Sequence, residues 1–235
     1  MIRSIVSDKE IGKMRIKFWR DTLNSIYSTS SPNQPVAVAL REAVRTKKLS
    51  KQWLTRLLDA RESNLDDRLY VTLKDVEDYA ENTSSSTLYL TLEAVGVRDV
   101  QSDHAASHLG KAEGIVTLLR ATPYHAHNKK VFLPMELLAL HRLSQEDVLR
   151  RQNSSSLQDV VYDVASQANM HLNMARSLSS KMTSDAKTCL LPAISCSSFL
   201  DAIQKCNFNV FDGRLQQRAA LLPLALLWHR LWRKY

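Results

Sequence analysis

The chain has 235 residues, 44% of them hydrophobic and 24% charged, with a formal net charge of +8. Its longest apolar run, 219–228, is shorter than the roughly 18 residues that a bilayer-spanning helix needs. The basic residues are scattered, and no RNP, KH or zinc-finger spacing occurs, so no nucleic-acid partner is expected. Three cysteines outside any CxxC pair indicate reduced thiols.

Helical periodicity governs the first half of the chain. A first helix is predicted over 9–27. Its predicted apolar face comprises Ile11, Met14, Phe18, Trp19, Leu23 and Ile26. Pro35 suits the first turn of a second helix, and Ser50 is the predicted N-cap of a third. Thr72 and Asp75 form a predicted capping box at the start of a fourth.

A long helix is predicted from 102 to about 120. Ala106, Gly110 and Gly114 follow one another in it at four-residue spacing, a ridge of small residues that lets a neighbouring helix approach closely. Pro123 is the predicted end of this helix.

Four more helices are predicted in the remainder. Ser144 starts a short one, and 157–178 forms a long one. Its predicted inward residues are Val160, Val161, Val164, Ala168, Leu172 and Ala175. The last two helices are predicted over about 198–205 and 215–233. With alternating strand patterns scarce, the sequence predicts an all-α, multi-helix single domain.

The most specific pattern lies in 109–134. Arg120 stands near the end of the long helix, Lys130 in the loop after it, and Val-Phe-Leu-Pro at 131–134. This order resembles the second catalytic helix of the squalene/phytoene synthase family, which reads Asn-Ile-Leu-Arg-Asp-Val-x-Glu-Asp, then a basic loop and Val-Tyr-Leu-Pro. Further resemblances to the family occur at 14–23, 35–40, 58–65 and 75–85. The resemblance implies a fold of the isoprenoid (trans-prenyl) synthase type.

The acidic positions of this motif are replaced. Ala121 and His125 stand where the family has its two aspartates, and Tyr124 where it has the glutamate. Family enzymes ionise a prenyl diphosphate with magnesium, a hard cation that prefers carboxylate oxygens. Alanine offers no ligand, and histidine is better suited to zinc or copper. We therefore expect a catalytically inactive protein, with no catalytic residues, no metal and no cofactor.

The resemblance also carries expectations about the chain's context. The family's first Asp-rich motif would fall before residue 1, so 1–235 is expected to be a domain that lacks its N-terminal helix or helices. Within the family, YAENT at 79–83, HAASH at 104–108 and RATPYH at 120–125 resemble the mitochondrial branch that acts in assembling NADH dehydrogenase (respiratory complex I). This implies a matrix-side position at the mitochondrial inner membrane, with complex I subunits or assembly intermediates as partners. The alternatives are an isoprenoid- or lipid-binding protein and a divergent prenyltransferase that uses a prenyl diphosphate.

A weak anion site is predicted at Arg120, Lys129 and Lys130. One guanidinium and two ammonium groups at one helix end could hold a phosphate or a lipid head group without metal. The competing interpretation is a solvated basic loop near the helix C-terminal carbonyls.

Two other groups of polar residues have structural interpretations that we prefer. His104 and His108 lie one turn apart, a spacing that zinc sites use, but without the glutamate of HExxH they are expected to cap and pack. The Asp-x-x-x-Asp pairs at 99–103 and 159–163 are expected at a helix start and on a solvated face. A further acidic cluster, Asp59, Glu62, Asp66 and Asp67, is expected to form surface pairs with Arg61 and Arg68.

The final helix combines an apolar run at 221–228 and Trp232 with flanking basic residues. Such a helix suits a membrane interface, and it also suits a terminal helix that closes the core. Core packing is the favoured interpretation, with peripheral contact with the inner membrane as an addition.

Overall fold

The computed structural model of the protein describes residues 9–28, 33–66, 69–217, 220–232 and 235. Its α-helices, in chain order, are α1 (Lys9–Ile26), α2 (Pro35–Lys47), α3 (Lys51–Ser63), α4 (Leu73–Ala80), α5 (Ser86–Ala94), α6 (Val100–His127), α7 (Met135–Leu140), α8 (Gln145–Leu149), α9 (Ser155–Ser177), α10 (Ser184–Cys189), α11 (Pro192–Lys205) and α12 (Leu222–Leu231). A π-helical segment joins α4 to α5, and short 3-10 turns occur at Ser179–Lys181 and Gly213–Gln216. Within these ranges no strand occurs, which confirms the all-α prediction.

The long helix α6 lies at the centre of the fold. It packs against α9, α11 and the continuous stretch of α4, the π segment and α5. Leu109, Ile115 and Leu119 of α6 are fully buried. All six inward residues predicted for α9 are buried too, so its periodicity was read correctly.

Two glycines of α6 let the π segment Glu81–Ser85 and the end of α4 come close. A methyl group on Gly110 would overlap the backbone nitrogen of Ser85, and one on Gly114 would overlap Ala80. The predicted ridge of small residues is therefore confirmed as a close helix–helix contact.

The prediction that α6 ends at Pro123 is wrong, because the helix continues to His127. Proline removes the N–H that would reach the carbonyl of Leu119, a loss of about 3 kcal/mol in a helix interior. Thr122 and Ala126 on either side are buried, and this burial holds the last turn in the core.

Of the N-caps predicted for α3 and α4, the one at α4 is confirmed and the one at α3 is not. At α4 the predicted capping box is present, since Thr72 Oγ1 accepts from the Asp75 N–H at 3.2 Å and Asp75 Oδ2 accepts from the Thr72 N–H at 2.8 Å. At α3, Ser50 holds the N-cap position, but its side chain does not cap the helix. Instead the Ser50 N–H donates to the buried Glu93 carboxylate at 2.7 Å, and the Ser50 hydroxyl donates to the same group.

Two predicted apolar faces are oriented differently in the fold. α1 buries Gly12, Ile16, Leu23 and Ile26. Three residues predicted to face inward, Ile11, Met14 and Phe18, are exposed. The rotation follows Gly12, whose missing side chain gives room to Leu65.

The favoured interpretation of the final helix as a core helix is also wrong, since α12 has no buried residue. Its basic neighbours Arg218, Arg233 and Lys234 lie outside the described residues.

Candidate functional site

The substituted motif positions lie on one face of α6. Ala121 and His125 are one turn apart, and they line a hollow of about 270 Å³ together with Thr117 of the turn before. The opposite wall comes from α3, α4, the π segment and the loops beside α4 and α7. It comprises Arg61, Tyr70, Val76, Tyr79, Thr83, Ser84 and Phe132. No carboxylate is among the described residues that line this hollow.

Aromatic and cationic groups take up much of the wall. Arg61 donates from Nη1 to the Tyr79 hydroxyl at 3.0 Å, and its guanidinium carbon lies 5.8 Å from the centre of the Tyr79 ring. The His125 ring meets Phe132 edge to face, with 4.7 Å between ring centres. Tyr124 is exposed and packs beside His125 instead of lining the hollow. An arginine, a histidine and hydroxyl groups lack the oxygen anions that magnesium prefers.

No cluster of three or more His, Cys, Asp or Glu side chains arranged for a metal occurs in the described part of the chain. Over the same residues, none of the helices has the length and apolarity needed to cross a bilayer.

Arg120 points away from this hollow, into a larger cleft. The cleft, of about 630 Å³, lies between α6, α11 and α12. Its residues are Glu113, Val116, Thr117, Arg120, Leu191, Pro192, Ser195, Cys196, Leu226, Leu227 and Arg230. Burial raises the pKa of Glu113, and the charge of Arg120 partly offsets that effect. Burial, with a contribution from Glu113, raises the pKa of the Cys196 thiol to about 12.

The two lysines of the predicted anion site lie elsewhere. Lys129 and Lys130 follow the end of α6 and are exposed, and neither lines the cleft of Arg120. Lys129 has a left-handed backbone with φ of 55°, and the Lys130 N–H donates to the carbonyl of His125 at 2.9 Å. The structure therefore does not bring the three basic groups into one cavity, and their role in binding stays a prediction.

The histidine pair of α6 is divided between solvent and core. His104 is exposed, whereas His108 is half-buried and its Nδ1 lies 2.9 Å from Nδ1 of the buried His171 on α9. Across from it, His171 Nε2 lies 3.1 Å from Glu77 Oε1, out of line for a hydrogen bond, and Gln167 donates to the same oxygen at 2.5 Å. Sequence reasoning missed this cluster, although position 171 is in phase with the buried residues of α9.

The acidic pairs have structural roles. Asp99 is the N-cap of α6 and accepts from the Ser102 N–H at 2.8 Å. Asp163 is not a simple solvated residue, since it lies 2.7 Å from His141 Nε2.

The ion pairs predicted for the acidic cluster are assigned to the wrong arginine. Asp59 and Glu62 pair with Arg20 of α1, at 2.7 and 2.5 Å, instead of with Arg61. Asp66 pairs with Lys9 at 2.5 Å, and the predicted partners Asp67 and Arg68 lie outside the described residues.

The fold and the motif face agree with a comparison against known families. A model of squalene/phytoene synthase matches residues 2–223. The chain belongs to the squalene/phytoene synthase family. The family that the motif of α6 resembles is thereby established, over nearly the whole length of the chain.

Individual relatives within the family are more specific. The human protein "NADH dehydrogenase (ubiquinone) complex I, assembly factor 6" is 50% identical over 233 residues, covering 99% of this chain and 70% of its own length. The Drosophila melanogaster homolog of that assembly factor is 38% identical over 234 residues, covering 97% and 70%.

The solved structures of family enzymes share the fold. The crystal structure of a dehydrosqualene synthase in complex with ligand superposes with a TM-score of 0.83 at 18% identity, covering 95% of this chain and 79% of the enzyme. At that identity the likeness concerns the fold alone, and it places this chain among isoprenoid-synthase-type helical folds.

Proposed function

We propose that this protein acts in the assembly of respiratory complex I and does not turn over prenyl diphosphates. The names of its human and Drosophila relatives support the first part. One observation supports the second: the hollow beside α6 presents Ala121 and His125 and no carboxylate among its described lining residues. Without oxygen anions to hold magnesium, the leaving diphosphate would lack its main charge stabilisation.

The setting belongs to the same proposal. The protein would work in the mitochondrion, on the matrix side of the inner membrane. Its partners would be complex I subunits or assembly intermediates, and it would need neither a cofactor nor nucleic acid. The names of its relatives support the link to complex I in this setting.

Two measurements on this chain test the two parts. In cells that lack their own relative of this protein, the chain is expressed with a cleavable mitochondrial import sequence. We expect complex I content on native gels to recover. Purified protein given magnesium with farnesyl or geranylgeranyl diphosphate is expected to form no product above a protein-free blank, while a bacterial dehydrosqualene synthase serves as the positive control.

Each part of the proposal is contradicted by a specific outcome. Complex I that stays low although the chain is present in the matrix contradicts the assembly role. Prenyl product that forms in proportion to protein contradicts the absence of catalysis, and it would favour a divergent prenyltransferase.

A second candidate function is the binding of an isoprenoid or another lipid with an anionic head. The cleft between α6, α11 and α12 favours it, because mostly apolar walls there surround Arg120 and Arg230. Lipid extracted from purified protein and identified by mass spectrometry is then expected in near-equal amount to protein. Arg120→Gln should lower that amount severalfold, whereas Arg45→Gln, an exposed arginine of α2, should not. Protein that purifies free of lipid argues against this function.

A further inference from the structure

The helix α12 carries its apolar stripe on the outside of the protein. Leu224, Trp228 and Leu231 are exposed by 64%, 61% and 70%, and they recur at the spacing of one helix face. Leu221, Leu227 and Trp232 extend the same stripe and are also more than half exposed. The rings of Trp228 and Trp232 pack against each other, with 5.5 Å between centres. A surface helix of a globular protein usually turns such a stripe to the core, so this one needs another apolar neighbour.

The charged residues in the sequence segment that contains this helix have one sign. The sequence 215–235 holds Arg218, Arg230, Arg233 and Lys234 and not one aspartate or glutamate. These 21 residues thus contribute +4 to the formal net charge of +8.

Neighbouring helices add to this positive charge. Arg176 of α9 and Lys205 of α11 line a hollow together with His229 of α12. Asp201 of α11 is the acidic residue that lines the same hollow.

We propose that the stripe of Leu221, Leu224, Leu227, Trp228, Leu231 and Trp232 docks α12 onto the surface of an anionic lipid bilayer. Leucine and tryptophan on one side of a helix with basic residues beside them are the composition of helices that lie in the interface. The negative surface of such a bilayer complements Arg230 and its basic neighbours in sequence. The inference deepens the proposed function, on which it rests for the choice of membrane.

Geometry and charge separate this occupant from two others. At ten residues, α12 is about 15 Å long, half of what a bilayer core requires, so it can lie on a membrane but cannot cross one. A symmetric contact with a second copy would bring together two segments of like charge, because 215–235 contains four basic residues and no acidic one.

Another exposed apolar stripe provides a matched control. Met14 and Phe18 of α1 are exposed by 70% and 50%. They lie on α1, where three of the five basic residues pair with carboxylates: Lys9 with Asp66, Lys13 with Glu10, and Arg20 with Asp59 and Glu62. The sequence 215–235, in contrast, holds no acidic residue.

The test is sedimentation of the full chain with vesicles of phosphatidylcholine alone and vesicles with about one-third phosphatidylglycerol. Wild-type protein is expected to sediment with the anionic vesicles and to be released by salt. Trp228→Ser/Trp232→Ser should weaken this binding by at least about tenfold. Met14→Ser/Phe18→Ser should bind as wild type does. Since α12 buries no residue, the tryptophan variant should keep its melting temperature, which shows that it folds.

Three results would overturn the proposal: wild-type protein that stays in the supernatant with both vesicles, a tryptophan variant that sediments as wild type does, or a wild-type dimer in solution that this variant abolishes. Failure of the proposed function would appear elsewhere, as complex I that the wild-type chain does not restore. The two ideas can therefore fail separately.

Discussion

His108 and His171 direct their Nδ1 atoms at each other across the contact between α6 and α9. At 2.9 Å one nitrogen must carry the proton and the other must accept it. Burial is the main cause that lowers the pKa of His108, and the charges of His171, Lys111 and His104 add to it, while Glu81 acts in the opposite direction. Protonation at low pH therefore breaks the hydrogen bond of this pair, because a second proton would turn the accepting nitrogen into a donor.

We expect this pair to make the fold sensitive to acid. The folded-state pKa of His108 lies below the ordinary histidine value of 6.5, so the unfolded chain takes up the proton first. The stabilising contribution is complete above pH 6.5 and is lost as the pH falls through the folded-state pKa. Between neutral pH and about pH 5.5, thermal unfolding of His108→Gln should shift less than that of wild type, because glutamine keeps a hydrogen-bonding group but does not titrate.

The control for this prediction lies on the same helix. His104→Gln removes an exposed histidine one turn earlier, and it should alter the wild-type pH response less than His108→Gln does, because His104 acts on His108 through its charge alone. Equal shifts for wild type and His108→Gln would show that the pair does not govern the acid response.

Individual residues show where sequence reasoning ends. The one-turn spacing drew attention to His104 and His108, and it correctly favoured packing for His108. The partners His171 and Glu77 come from helices remote in sequence, so no local pattern brings them together. The same limit applies to Asp59 and Glu62, because the choice between Arg20 and Arg61 depends on how α1 lies against α3.

Helix α6 owes its position to contacts that leave no room for a side chain. Gly110 packs directly against the backbone of Ser85, which lies in the π segment. A side chain can change its rotamer to admit an added methyl group, but a backbone nitrogen cannot move without moving the helix.

Gly110→Ala is therefore expected to destabilise the protein strongly. Alanine is intrinsically better than glycine in a helix by roughly 1 kcal/mol. The overlap with Ser85 should outweigh that gain and leave a net loss of about 2 kcal/mol or more in the free energy of unfolding. Urea denaturation followed by circular dichroism measures this loss.

A second glycine, Gly213, provides the control for this prediction. Gly213 has nothing within 4 Å of the place where a Cβ would stand, so Gly213→Ala should change the free energy of unfolding little. Equal stability of Gly110→Ala and wild type would show that α6 and the π segment can move apart at little cost in free energy.

The ends of helices and their orientations were harder to predict than the helices themselves. Pro123 was predicted to end α6 because a proline inside a helix costs a hydrogen bond. The sequence did not show that Thr122 and Ala126 are buried, and their burial offsets this cost. The faces of α1 and α12 were assigned from apolar periodicity, which finds a stripe but does not tell whether the core or something outside the chain covers it.

The molecule as a whole was the most predictable. Helical periodicity predicted the all-α fold, and the motif around Arg120 identified the family whose model matches 2–223. The hollow beside Ala121 and His125 follows from that motif. The cleft beside Arg120 does not, because it needs α11 and α12 to close it. That 1–235 forms a single domain stays a prediction.

The tight contact at Gly110 also limits how this chain can change over generations. Every other amino acid is larger than glycine, so any mutation at this position adds atoms where there is no space. Ala121, about three turns further along the same helix, faces an open hollow and has no such limit. Lineages that carry this helix should therefore drift freely at one position and hardly at all at the other.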